Sequence, residues 1–441
     1  MDPSKLADRL RAIVGTNAGR SKPDTAYHGV ADAAPGSSGT MSDVERTLGG
    51  KSVQRDGCSC FVVERRAGPE SRCGSEPMAS IAARLAAASG EAPIVTGGAP
   101  ARPPFVFFDL ETTGLSGGAG TYAFLVGCGG FDAEGGFVTR QFVLLRHADE
   151  RQLLQMVGVE LAQAGALVSF NGKSFDAPLI ETRHLFHRLE WAGSRLPHLD
   201  VLHPARRFWG DGAEANAPCS LAALEQSVLA ARRPDDVPGF EIPARYFQFV
   251  RSGDARPLVA VLEHNRLDLL SLAALTARLL DLVRTGPGAA RHAREALALG
   301  RVYARCGLDG RAREAYQRAL AMGTSSGDIK IDGLRALAVL YRRSRCYEDA
   351  AAHWRELLAM PRCPPQVVRE ASEALAVHHE HRARDLPAAR AFALRSLTGA
   401  SGMGTRRRTG WDQAIQHRLA RIERKMNNSH VSSLKFEFAK P

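Results

Sequence analysis

Long apolar runs are missing. No stretch of about 18 apolar residues occurs in the 441-residue chain, which excludes a conventional membrane-spanning helix. The N-terminal MDPSKLADRLRAIVG has no extended apolar region and reads as a short amphipathic helix rather than a secretion signal. Cysteine is sparse and unpatterned: eight residues, at 58, 60, 73, 128, 219, 306, 346 and 363, form no paired C-x-x-C. This argues against a disulfide framework or a thiolate zinc site and fits free thiols in a reducing cytoplasm. The pattern G-x-x-x-x-G-K-[ST] is also absent, since LSGGAGTY at 115–122 lacks the lysine, which argues against a P-loop nucleotide hydrolase.

Acid is short in one region only. Residues 286–441 hold 28 Lys and Arg against 15 Asp and Glu, whereas the rest of the chain holds 30 against 32. The net charge of +11 therefore comes wholly from the C-terminal third. A polyanion such as nucleic acid fits that excess, and so does an Arg-rich solvated helical surface. The 44% hydrophobic and 24% charged fractions are those of a globular protein, and the length calls for two or three domains.

The chain divides by pattern. Residues 1–104 read as a partly disordered N-terminal region with a small β element near 46–67, a helix over 79–90 and a Pro/Gly linker at 97–104. Residues 105–285 alternate strand and helix signals. FVFFDLE, TYAFLVGCGGF and FVTRQFVLL are strands, with DAEGG as a hairpin turn. ERQLLQMVGVELAQAG is an amphipathic helix, ALVSFNG a buried strand, and SFDAPLIETRHLFHRL leads into another helix. HLDVLHPARRFW opens a further element, and 220–231 and 258–283 are helical. The expected fold is α/β, a mixed sheet with flanking helices. Residues 286–426 follow as an all-α solenoid. Tyr303, Tyr341 and His379 recur every 38 residues, as do Ala312, Ala350 and Ala388, and Tyr316, Trp354 and Phe392. Small residues where helices touch, with an aromatic one turn on, suit helical repeats akin to tetratricopeptide units. WDQAIQHRLARIERKM at 411–426 would cap them, and 427–441 is expected to be a flexible tail.

Against this frame, FVFFDLETTG at 105–114 is anomalous. Asp109 and Glu111 stand two apart on one face of an otherwise buried strand. Paired carboxylates there repel each other and are costly to desolvate unless a divalent cation lies between them. A surface turn or a salt bridge is the plainer reading of the pair alone. SFNGKSFDAPLI at 169–180 adds Asp176 at a helix start, where an N-cap would also be acceptable. HNRLDLLSLAAL at 264–275 adds His264 and Asp268, four apart on one helical face.

FDLETTGL, FNGKSFD and HNRLD, in that order over the region 105–285, resemble the three motifs of the DEDD 3′–5′ exonucleases of the ribonuclease H-like fold. The YprB-type ribonuclease H-like branch is the most similar. It shares the N-G-x-x-F-D-x-P turn with DNA polymerase B exonuclease domains, here Asn171, Gly172, Phe175, Asp176 and Pro178. The resemblance implies a five-stranded mixed sheet and two ions, Mg²⁺ or Mn²⁺. Asp109 would bridge them, Glu111 and Asp268 would complete one site, and Asp176 would hold the second through water. His264 would be the general base. It stands four residues before Asp268, the spacing at which Tyr-type members carry tyrosine; His-type members place the base five residues before. Thr112, Thr113 and Leu115 would line the terminal-nucleotide pocket through backbone amides and an apolar wedge. Asn171 and Phe175 would also meet substrate. Asp200 reads as a cap, and Arg206, Arg207, Arg232 and Arg233 as solvated surface.

Two functions follow. One is a cytoplasmic metal-dependent 3′–5′ exonuclease acting on single-stranded DNA or RNA ends by a two-metal mechanism, with a protein partner on the helical repeats as an addition. The other is an inert nuclease-like scaffold that binds nucleic acid or protein through those repeats. All four acids are present, which favours the enzyme.

Overall fold

The computed structural model describes residues 40–437, apart from 56, 97–100, 115–119, 211–218, 234–235, 324–326 and 399–404. The helix and disordered stretch expected within 1–39 lie outside the described residues, as do 438–441 and the start of the 97–104 linker.

Among the described residues nine strands form in chain order: β1 (Lys51–Arg55), β2 (Cys58–Ala67), β3 (Arg72–Cys73), β4 (Glu76–Pro77), β5 (Phe105–Thr112), β6 (Ala123–Phe131), β7 (Phe137–Val143), β8 (Ala166–Ser169) and β9 (His198–Asp200). Seven of them make one mixed sheet in the order β1-β2-β7-β6-β5-β8-β9, and β3 pairs with β4 apart from it. The β5-β8-β9 pairings are parallel and the others in the large sheet are antiparallel. The DAEGG turn closes β6 on β7. Gly135 takes φ 81° there, and Asp132 Oδ1 accepts from the amides of Glu134 and Gly136.

The sheet has seven strands rather than the five expected. β2 pairs with β7 from Phe61↔Val143 to Ala67↔Phe137, so the element near 46–67 is part of the main sheet. It covers an edge of β7 that would otherwise offer unpaired backbone groups.

β5 has the periodicity of a strand buried on both faces. Phe105 and Phe107 join one apolar cluster with the Met78–Ala88 helix and the thirty-residue helix Arg256–Thr285. Phe108 and Leu110 join the other, with the Glu150–Leu161 and Ile242–Ser252 helices. The C-terminal ends of β5, β8 and β9 all open toward one rim, where open α/β sheets bind ligands.

Six helices then follow in sequence: Ala293–Arg305, Asp309–Ala321, Gly327–Arg343, Tyr347–Leu358, Pro365–His378 and Leu386–Thr398. Ala312, Tyr316, Ala350 and Trp354 are buried at their contacts, while in the third pair Ala389 rather than Ala388 is fully buried. The last helix runs Thr405–Glu437, so residues 427–437, expected to be a flexible tail, are helical. Phe208, Leu279 and Val283 share a core with Leu299, Val302 and Tyr303, which packs the Ala293–Arg305 helix directly onto the sheet domain. No helix among the described residues is long and apolar enough to cross a membrane.

Candidate active site

Asp109 and Glu111 continue the Phe105–Phe107 stripe, on the face covered by the long Arg256–Thr285 helix. That helix brings Asn265 and Asp268 down onto them, three residues apart and hence on one side. Asn265 is fully buried. Its Nδ2 donates to Asp109 Oδ2 at 2.8 Å, and its Oδ1 accepts from Gln141 Nε2 at 2.9 Å. Gln141, on β7 and equally buried, also donates to the Leu262 carbonyl at 2.7 Å. Gly127 pairs with Asp109 across β6, and a Cβ at that glycine would lie 2.3 Å from Asn265 Oδ1. The glycine therefore makes room for the amide that orients the first acid.

Electrostatics tie the acids into one cluster. Burial, then the charges of Asp268, Glu111 and Asp176, push Asp109 well above the usual carboxylate range, against the opposing bond from Asn265. Burial, then Asp268, Asp176 and Asp236, do the same to Glu111. Asp176, at the start of the Asp176–Phe186 helix, is pushed up to about 7 by burial and by Asp200. Gly172 lets the preceding turn close on it, since a Cβ there would sit 3.0 Å from Asp176 Oδ2 and 2.4 Å from Ser169 Oγ.

Asp200, at the end of β9, clamps that turn. Its Oδ1 accepts from the amides of Asn171 (2.8 Å) and Leu202 (3.1 Å), and its Oδ2 accepts from the amide of Lys173 (3.1 Å). Asn171 takes φ 67°, a left-handed conformation that asparagine tolerates.

Arg233 differs most from its expected place on the solvated surface. Its side chain is only 9% exposed and pairs with three acids. Nη2 reaches Asp268 Oδ1 at 2.5 Å, Nη1 reaches Asp236 Oδ2 at 3.2 Å, and Nε donates to Glu225 Oε2 at 2.8 Å beside a second Nη2 contact to Glu225. Burial opposes the charge, but Asp268 and Glu225 outweigh it and hold the guanidinium more firmly protonated than usual. Asp236 also receives His264: Nδ1 donates to Asp236 Oδ1 at 2.7 Å, leaving Nε2 3.6 Å from Asp268 Oδ2. Burial raises Asp236, yet the bonds from His264 and Arg233 leave it below its ordinary value.

The remaining candidates scatter. Thr113 is engaged in the chain itself: its amide donates to the Tyr122 carbonyl and its Oγ1 accepts from the Tyr122 amide, each at 3.0 Å. Its amide is thus not turned to a ligand as expected. Thr112 Oγ1 donates to the Gly114 carbonyl at 3.0 Å. Phe175 is 59% exposed. Leu115 lies outside the described residues.

Sequence reading missed Asn265, Gln141, Glu225 and Asp236. Gln141 had a signal, as a polar residue inside the apolar strand FVTRQFV. Asn265 had one in its i, i+3 spacing to Asp268.

The donor set, carboxylate oxygens crowded at one end of the sheet, suits a hard divalent cation in its chemistry. Among the described residues, however, no three His, Cys, Asp or Glu side chains are gathered closely enough to enclose an ion as they stand, and Asp268 is engaged by Arg233.

Residues 106–280 match a family described as RNase_H superfamily, a span that contains every acid of the cluster. Over 330 residues the chain is 31% identical to a Bacillus subtilis (strain 168) protein named "Uncharacterized protein YprB", covering 73% of this chain and 75% of that one.

Proposed function

The chain belongs to the RNase H superfamily, and from that premise we propose that it is a metal-dependent 3′–5′ exonuclease acting on single-stranded nucleic-acid ends. The observation that supports this most is the gathering of Asp109 and Glu111 with Asp268 and Asp176, where burial and then the neighbouring carboxylate charges push the first two well above the usual range. Four carboxylates held against their own repulsion have a chemical reason if cations join them. Asp109, Glu111 and Asp268 would hold one Mg²⁺ or Mn²⁺, and Asp109 with Asp176 a second. Such ions, when bound, supply charge neutralisation at the scissile phosphate and a more acidic attacking water.

The chain's own groups do the rest. Asn265, fixed by Gln141, holds Asp109 in one rotamer. The Asp236 contact at His264 Nδ1 turns Nε2 toward the acids. That nitrogen takes the water's proton as the phosphodiester is attacked. Arg233 favours a second reading, an inert nuclease-like scaffold, because a guanidinium already neutralises Asp268.

The test uses 5′-labelled single-stranded DNA and RNA with Mn²⁺ or Mg²⁺, then EDTA, beside Asp109→Asn. A metal-dependent ladder shortening from the 3′ end, lost in the variant, is expected. Intact oligomers under every condition, with binding retained, would leave the scaffold.

A further inference from the structure

A cavity of about 590 Å³ lies between the sheet domain and the first repeat helix, one loop away from the acid cluster. Its polar wall carries Lys173, Arg207 and Arg305, and its apolar wall Ile94, Val95 and Leu199. The three cations make no hydrogen bond or ion pair through their side chains to any described residue. Burial, and then the neighbouring charge of Arg305, make the Arg207 guanidinium easier to deprotonate than usual. Among the described residues, three cations thus line the cavity with a single acid beside them. Asp200 is the sole acid in the described lining, and backbone amides already occupy both its oxygens. Burial, and then Lys173, hold His198 down to about 4, so at neutral pH it adds a hydrogen-bonding edge and no charge.

We propose that this cavity is a binding site for the phosphates of a nucleotide, with the sugar and base against Ile94, Val95 and Leu199. Its size suits one or two nucleotides. Lys173 sits in the same turn as Asn171 and Asp176, so a strand whose 3′ end lies at the acids has this cavity beside its path. That choice of occupant rests on the nuclease reading; the anion site does not. A free nucleotide offers the same chemistry.

The test uses the full chain in EDTA, where cleavage is silent. Fluorescence anisotropy follows a labelled oligothymidylate across salt, and adenosine monophosphate serves as competitor. The paired change Arg207→Gln, Arg305→Gln removes two charges but keeps polar side chains at two exposed positions, and Arg343→Ala farther along the helical region controls for charge loss. Expected is at least a tenfold weaker oligomer affinity in the paired variant alone, with the salt slope reduced by about 1.4 for two lost phosphate contacts. A second readout needs no variant. Cys306 lines the cavity while Cys346, also exposed, does not. Ligand should slow alkylation of Cys306 and leave Cys346 unaffected. Weakened oligomer binding identifies a strand. Cys306 protection by adenosine monophosphate, with oligomer binding unchanged, identifies a free nucleotide. No protection by either ligand, with unaltered oligomer affinity, overturns the site. Because no step requires hydrolysis, these outcomes are independent of whether the ladder assay succeeds.

Discussion

Asp109 has its position set by two neutral side chains and one missing one. Asn265 and Gln141 form a buried relay to it, and Gly127 provides the space. Gly127→Ala would drive a methyl group into a hydrogen-bonded buried amide, at a cost of about 1–3 kcal/mol from overpacking. Lower stability is expected in thermal unfolding, with a larger fractional loss of nuclease activity; an unchanged variant would mean that the relay does not position Asp109. The acids also give the metal-free chain a pH signature. Asp176 has an ordinary value of 3.8 and is held at about 7 when folded. Between those limits the folded chain keeps a proton that the unfolded chain releases, so stability falls as pH rises through the window. Melting in EDTA from pH 4 to 8 should show that decline, with a shallower slope in Asp176→Asn. The carboxylates were legible because charge in an apolar strand demands a reason. Arg233 was not, because Glu225, Asp236 and Asp268 come from three separated segments and meet only in the fold.

Elements carry these residues only as well as they are docked. The Asp176–Phe186 helix is fastened through Arg183, whose Nε donates to Glu150 Oε1 at 2.6 Å; the two side chains are 1% and 2% exposed. His187, just past the same helix, meets Glu150 Oε2 at 2.7 Å. Removing one partner leaves the other charge buried, and Glu150→Ala should cost about 3–5 kcal/mol by denaturant unfolding. A loss below about 1 kcal/mol would mean the pair adds little. Helices with strong amphipathic runs, such as Glu150–Leu161 and Arg256–Thr285, were readable in the sequence. The β2–β7 pairing was not, since its partners lie seventy or more residues apart and their alternation does not name a neighbour.

At the scale of the molecule, the helical region is anchored by one buried acid. Glu295 accepts from Trp209 Nε1 at 2.8 Å and from the Arg291 amide at 2.6 Å, and pairs with Arg278 at 3.2 Å. Glu295→Ala should lower the unfolding midpoint and loosen the first repeat, read as faster amide exchange in Ala293–Arg305 with the central strands unchanged. The sequence pattern marked the region beyond 286 as helical, but not its junction with the sheet domain, which depends on Phe208 and Trp209 far upstream. The basic excess beyond residue 286 lies on this docked arm, so removing salt should strengthen oligonucleotide binding by the full chain.

If the opposed carboxylates are held for a cation, as proposed, the chain must bind one. Calorimetric titration of Mn²⁺ into the full chain, beside Asp109→Asn, tests it most directly. Saturable binding is expected in the unmodified chain, weakened at least tenfold in the variant. Equal heats in both, or none in either, would contradict it and leave Arg233 as the cluster's own counter-charge.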